Sequence, residues 1–223
     1  MNKYDIVKKI EDFAPLETQE SWDASGWIVD LDEAEINKVM FALTVTDKIV
    51  EQAQKLGCKM IISHHPLFFV PLKYRCVNIY CAHTNFDKAK GGTTDILLNN
   101  LHLQGKEYGD FVRVAEFENE MSVEYLKLKL LPLSPRLRVV NNSGTKTIKK
   151  IGFCAGSGSE FIASTPCDAF VTGDVKFHTA VEANKVVFDI GHFESEIGAV
   201  RFLKELTGVG EKGIIADEAS PFI

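Results

Sequence analysis

The chain is poor in the residues that support the simplest functional assignments. Its 223 residues include five cysteines, an odd number, and no Cys-x-x-Cys pair. That excludes a disulfide framework and a thiolate zinc knot, and it points to reduced thiols in a cytoplasm. Cys58, Cys76, Cys81, Cys154 and Cys167 are expected to pack as small hydrophobes. No apolar run approaches the ~20 residues of a membrane span. The first residues, Met1 to Asp5, lack the apolar core of a secretory signal. Positive charge is not in surplus either. A net charge of −6 argues against a broad nucleic-acid footprint, while a nucleotide needs only a local basic or metal-lined pocket. Gly-x-Ser-x-Gly elbows, Walker loops and dinucleotide fingerprints are absent. So are repeats of fixed period, low-complexity tracts and evident linkers. The only two tryptophans, Trp22 and Trp27, fall in a stretch read as a loop, where they seal a core edge or line a pocket.

What is present is a recurrent pattern of histidines at strand exits. The apolar run Lys59-Met60-Ile61-Ile62 empties into Ser63-His64-His65-Pro66, and Pro66 keeps His65 extended. Asn78-Ile79-Tyr80-Cys81-Ala82 leads to His83-Thr84-Asn85-Phe86-Asp87. Ala169-Phe170-Val171-Thr172-Gly173 leads to Asp174-Val175-Lys176-Phe177-His178. Val186-Val187-Phe188-Asp189-Ile190-Gly191 leads to His192-Phe193-Glu194-Ser195-Glu196. Five of the six histidines thus follow short apolar runs of the kind that form buried strands. Open α/β sheets place ligands at such strand ends. His102 is the exception and reads as a surface residue in the last turn of a helix.

The coarse order is strand, helix, strand, helix, an α/β layer. Helical spacing covers residues 3 to 13, and residues 16 to 30 read as a loop. A strand is expected over 39 to 45. A helix from Asp47 to Leu56 follows, with Thr46 as N-cap and Gly57 closing it. After the second histidine strand, Gly91-Gly92 precedes a helix to about Leu101. Strands at 111–117, 136–140 and 150–155 and a Ser122-capped helix to Leu130 fill the middle. A final helix from about 194 to 206 is expected to return to the first domain. With the loop at 104–110 as boundary, the expected domains are 1–106 plus 190–223, carrying most candidate ligands, and 107–189.

The chemistry of these stretches has alternatives. Adjacent histidines suit a metal site, one or two ions, or simply cap a strand. His192 and Glu196 share a helix face four residues apart and suit zinc, iron or manganese; alternatively Glu196 serves the helix dipole. His83 and Asp87, read as loop residues, either join the site or cap the next segment. Asp174 and His178 form an acid–base pair, support metal ligands from behind, or, for Asp174, cap a helix over 175–183; Lys176 between them suits a phosphate. Gly156-Ser157-Gly158-Ser159 either presents amides to an anion or is a plain turn. A pair of metals would lower the pKa of a shared water for attack.

These four histidine-bearing motifs, in this order and spacing over nearly the whole chain, resemble the signatures of the NIF-three-like family, whose bacterial members are usually labelled type-2 homologues of GTP cyclohydrolase I. The resemblance implies two interlocked α/β domains with mixed sheets flanked by helices, a dinuclear metal centre, and a ring-shaped homohexamer with sites facing an inner cavity. It implies metal ligands His64, His65, Asp87, His192 and Glu196. His64 and Asp87 would hold one ion, His65 and His192 the other, with Glu196 between. His83 becomes a neighbour, and Asp174 and His178 pocket residues with catalytic roles. The chain departs from the family pattern at Asp23-Ala24-Ser25-Gly26-Trp27, where Asp-Asn before Gly-Leu is usual, and at Thr44, where an aspartate is usual. It also lacks the long insert of some relatives. The expected function is a hydrolase dependent on two divalent ions (zinc, iron or manganese), of GTP cyclohydrolase type and acting on a nucleotide or related small molecule. The competing expectation is an accessory protein that stores or delivers metal, or binds a partner, without turnover.

Overall fold

The computed structural model describes residues 1–222. In chain order the elements are α1 (Lys3–Phe13), β1 (Gly26–Val29), β2 (Val39–Ala42), α2 (Asp47–Lys55), β3 (Met60–Ser63), β4 (Asn78–Cys81), α3 (Thr84–Lys88) and α4 (Thr93–Asn100). Then follow β5 (Lys106–Tyr108), β6 (Val112–Ser122), α5 (Val123–Leu130), β7 (Arg138–Val140), β8 (Thr147–Phe153), β9 (Ala169–Thr172), α6 (Phe177–Glu182) and β10 (Val186–Asp189). The last are α7 (His192–Glu196), α8 (Gly198–Thr207) and β11 (Gly213–Ile215). No helix among the described residues is long and apolar enough to cross a membrane.

The chain forms two compact units, each a mixed sheet flanked by helices. The first contains residues 1–89 and those from 199 onward; the second is Lys90–Gly198. The first sheet has the order β1-β4-β3-β2-β11. Only β1 runs antiparallel to its neighbour. Every residue of β2, β3 and β4 is buried, as expected of parallel strands covered on both faces. Met40, Ile61 and Ile79 face one core, joined there by Ile49, Val50 and Ala53 of α2. The Thr46 hydroxyl accepts from Ile49 N and starts α2; Gly57, at φ +72°, follows it. The expected loop over 16–30 is corrected at its end: Gly26–Val29 pairs with β4. Trp27 meets Tyr80 edge-on there, with ring centroids 5.3 Å apart.

The second sheet has the order β5-β6-β8-β9-β10-β7. Strands β8, β9 and β10 are mutually parallel, and the outer pairings are antiparallel. Side chains alternate across it as a two-residue period requires. Ala169, Val171, Val186 and Phe188 enter a core with Leu97, Leu126 and Ile151. Phe170 and Val187 enter another with Val112 and Ile162.

The expected boundaries at 106/107 and 189/190 both fall inside this second unit. Two contacts hold α4 there. Leu97, Leu98 and Leu101 are part of its core, and buried Arg113 grips Asp95 with two nitrogens, at 2.9 and 3.1 Å. The single helix expected over 194–206 is two helices, α7 and α8. His192 and Glu196 therefore belong to the second unit, not the first. Cys76 is exposed rather than packed, whereas Cys58, Cys81 and Cys154 are buried. His102 is exposed at φ +56°, just past α4.

Candidate metal centre

In the first unit, β3 and β4 are parallel neighbours with Ser63 in register with Cys81. Residues that follow these strands must emerge side by side at one sheet edge. His64 and His65 leave β3 there, and Ala82 and His83 leave β4. His64 is fully buried, and its Nδ1 donates to the Ala82 carbonyl at 2.8 Å. The Nδ1 of His65 is hydrogen-bonded to Thr44 Oγ1 at 2.6 Å. The expected loop is corrected at Asp87, which lies in α3, while His83 precedes that helix as its N-cap residue, and the first turn closes through Asp87 N to His83 O at 2.9 Å. The helix brings Asp87 back over His83, and Asp87 Oδ1 lies 3.4 Å from His64 Nε2. One ligating atom from each of His64, His83 and Asp87 lies within 4.8 Å of the others.

Behind His83 sits Asp23, whose side chain is fully buried. It accepts from Thr84 Oγ1 at 2.5 Å, Ser25 Oγ at 2.8 Å, His83 Nδ1 at 2.9 Å and Thr84 N at 3.0 Å. Burial opposes its charge, but the bonds from Thr84, His83 and Ser25 outweigh burial and hold its pKa at about 2. Ser25 Oγ in turn accepts from His83 N at 3.1 Å. Trp22, largely exposed, meets the His83 ring edge-on at 5.9 Å.

The second unit repeats the device. Strands β9 and β10 are parallel, with Thr172 in register with Asp189, so Asp174 and His192 also leave one sheet edge together. Asp174 Oδ2 accepts from His192 Nδ1 at 2.7 Å, and His192 Nε2 lies 3.0 Å from Glu196 Oε2. Burial disfavours an imidazolium here, yet the Glu196 and Asp174 carboxylates raise the His192 pKa to about 9. At neutral pH this favours the imidazolium, whose two ring N–H groups both face carboxylates. Close approach to α7 requires glycine at two points. A Cβ at Gly156 (φ +68°) would collide with Glu196 Oε1, and one at Gly173 would come within 2.6 Å of His192 N.

Among these four imidazoles every Nδ1 is held: by a carbonyl, a hydroxyl and two carboxylates. Three of those partners only accept, which fixes a proton on Nδ1 and turns Nε2 away from the anchoring partner. Metal-binding histidines are oriented in this way. The donor set of imidazoles and carboxylates fits a divalent transition ion.

The family model described as Duf34/NIF3 (NGG1p interacting factor 3) matches residues 1–212. The chain belongs to this family. A Clostridium perfringens member named GTP cyclohydrolase 1 type 2 homolog is 31% identical over 230 aligned residues, covering 88% of this chain and 87% of the relative. A Campylobacter jejuni protein of the same name is 31% identical over 249 residues, covering 100% and 99%. The fold of reduced HcgD from Methanocaldococcus jannaschii matches with a TM-score of 0.83 at 26% identity, over 96% of each chain.

In this Duf34/NIF3 protein the expected site residues divide. His64, His65, His83 and Asp87 gather in the first unit, His192, Glu196 and Asp174 in the second. Asp174 does not cap α6, whose N-cap is Lys176. Nor is Asp174 joined to exposed His178 by any hydrogen bond or ion pair among the described residues; the His178 ring meets only Phe177. The anion reading of Gly156-Ser157-Gly158-Ser159 is corrected. Gly156 N donates to Ser195 Oγ and Gly158 N to Thr172 Oγ1, each at 2.8 Å. The turn makes room for Glu196 and leads into a single 3-10 turn at Ser159–Phe161. Sequence reasoning passed over Asp23 and Thr44 as site residues. Asp23-Ala24-Ser25 carries the short polar side chains that bond neighbouring backbone in turns, which was the available signal for the first.

Proposed function

We propose that this protein is a metal-dependent hydrolase that binds two divalent ions and acts on a nucleotide or related heterocycle. The proposed ligands are His64, His65, Asp87, His192 and Glu196. The observation that carries the reading is the common anchoring of Nδ1 in the three ligand imidazoles, His64, His65 and His192, which turns each Nε2 toward a metal. Bound ions would supply an activated water at neutral pH. The chain's own residues then have defined tasks. Asp23, Ala82 and Asp174 set the tautomers of His83, His64 and His192, and Thr44 orients His65. His178 and Asp174 remain the proposed groups for moving a proton, His178 from the exposed start of α6.

The names of the two bacterial relatives support GTP as the first substrate to try. The five free cysteines support a reducing, cytoplasmic setting. Exposed Phe68, Phe69 and Leu72 offer apolar surface for the expected ring-shaped homohexamer. A role in metal storage or delivery without turnover has one observation in its favour: Asp174 is committed to His192, which leaves His178 without a carboxylate.

The test is metal content per chain together with GTP turnover on one metal-loaded sample. Two ions with saturable GTP loss, abolished in His65→Ala, are expected. Two ions without GTP loss would reject that substrate and transfer the argument to the accessory role. Full metal retention in both His65→Ala and Glu196→Ala would reject the ligand set.

A further inference from the structure

His83 is more than a neighbour of the ligands. We propose that it is itself a metal ligand, and that His64, His83 and Asp87 form a complete site of two imidazoles and one carboxylate within the first unit. The inference rests on the metal-binding reading above and assigns a ligand that this reading does not include.

Three observations converge. The ligating atoms of these three residues lie within 4.8 Å of one another. The 3.4 Å between His64 Nε2 and Asp87 Oδ1 equals the edge of a tetrahedron with metal–ligand bonds of about 2.1 Å, the usual value for zinc with nitrogen or oxygen. Finally, His83 Nδ1 is held by the most strongly anchored carboxylate of the unit. Asp23 has a fully buried side chain, with Thr84, Ser25 and Ala24 N donating to its remaining lone pairs. A buried acid so arranged holds the His83 ring in one orientation and one tautomer, with Nε2 available. That is the carboxylate–histidine–metal arrangement. If His83 served only to pack, Trp22 beside it would call for an apolar ring, and a buried aspartate behind it would carry a desolvation cost without return.

Three protein ligands leave coordination positions open for water and substrate. The ligand class is a first-row divalent ion, and Co(II) is the probe. The experiment titrates Co(II) into metal-free wild type, His83→Gln, Asp23→Asn and His102→Ala. It follows the visible absorption of bound cobalt and the paramagnetically shifted imidazole N–H resonances of ¹⁵N-histidine-labelled protein. The glutamine in His83→Gln keeps a donor toward Asp23 but has no imidazole. The expected result is loss of one shifted N–H resonance in His83→Gln and at least ~10-fold weaker binding of one ion. Asp23→Asn should weaken that ion about tenfold with the resonance retained and displaced, and His102→Ala should match wild type. Wild type binding two ions with His83→Gln unchanged in affinity and resonance count overturns this inference alone. Wild type binding no Co(II) overturns it together with the metal-dependent reading. If His83→Gln does not fold, assignment of the His83 resonance in wild type decides: an unshifted Nδ1–H refutes ligation.

Discussion

Asp23→Asn is the sharpest physical test of the first unit. The carboxylate accepts five hydrogen bonds, from Ala24 N, His83 Nδ1, Ser25 Oγ, Thr84 Oγ1 and Thr84 N. They lower its pKa from the ordinary 3.8 to about 2. At 1.36 kcal/mol per tenfold, that gap corresponds to about 2.4 kcal/mol of folding stability at neutral pH. Because the folded pKa is the lower one, the contribution is complete above about pH 4 and is lost as pH falls through about 2; at pH 3 about 1.3 kcal/mol remains. Asparagine keeps the shape but loses the charge, and its amide confronts at least one of the five donors. The assay is urea unfolding of metal-free protein. It is followed by tryptophan fluorescence, because Trp22 and Trp27 both lie in the first unit and report on it alone. The variant should be less stable than wild type by about 2–3 kcal/mol at pH 7, and the gap should narrow by about 1 kcal/mol at pH 3. A gap below about 0.5 kcal/mol at pH 7, or one that does not change with pH, would refute the charge-based account of this cluster.

Other expectations follow from single contacts. Gly156→Ala places a Cβ against Glu196 Oε1 at a positive φ; it should cost about 1–2 kcal/mol from the backbone alone and weaken metal binding at least ~10-fold, both read by denaturation and metal titration. Lys3, fully buried, binds the Leu31 carbonyl, Asn78 Oδ1 at 3.0 Å and Asp30 at 2.6 Å. Lys3→Ala should destabilise the first unit by about 3 kcal/mol, with Lys3→Met milder in the same unfolding assay. Thr44→Val removes the hydroxyl on His65 Nδ1 and should lower metal affinity about tenfold without loss of fold, measured by competition with a chelator.

The strands that carry the site were legible because each is a short, mainly apolar run followed by polar residues. The helix caps at Thr46 and Ser122 were legible for an equally local reason: hydroxyl, then helix. Four features were not. Strand β1 has only four residues, too few for alternation to register, and its partner β4 lies some fifty positions on. Helix α3 has five residues and no apolar period; the burial of Phe86 holds it in place. The unit boundaries depend on the Arg113–Asp95 pair and on where three leucines of α4 and its end pack, neither of which shows in composition. The tasks of Asp23, Thr44 and Asp174 are set by hydrogen bonds to residues 60, 21 and 18 positions away. The motifs thus located the candidate ligands, while the groups that orient them became visible only through parallel register.

The path of the chain bears on when this protein is completed during synthesis. The second unit is a continuous segment, Lys90–Gly198, between two parts of the first. A ribosome therefore delivers every residue of the later-starting unit before the earlier one can close. Until residues 199–215 emerge, β2 lacks its edge partner β11, and Phe13 and Phe86 lack Phe202, whose ring packs 5.2 and 5.8 Å from theirs. The nascent first unit waits with an unpaired parallel edge, a template for misassociation, through the translation of more than a hundred residues. A chaperone that binds exposed strand edges would find its target in this interval and lose it when the last helix and strand arrive.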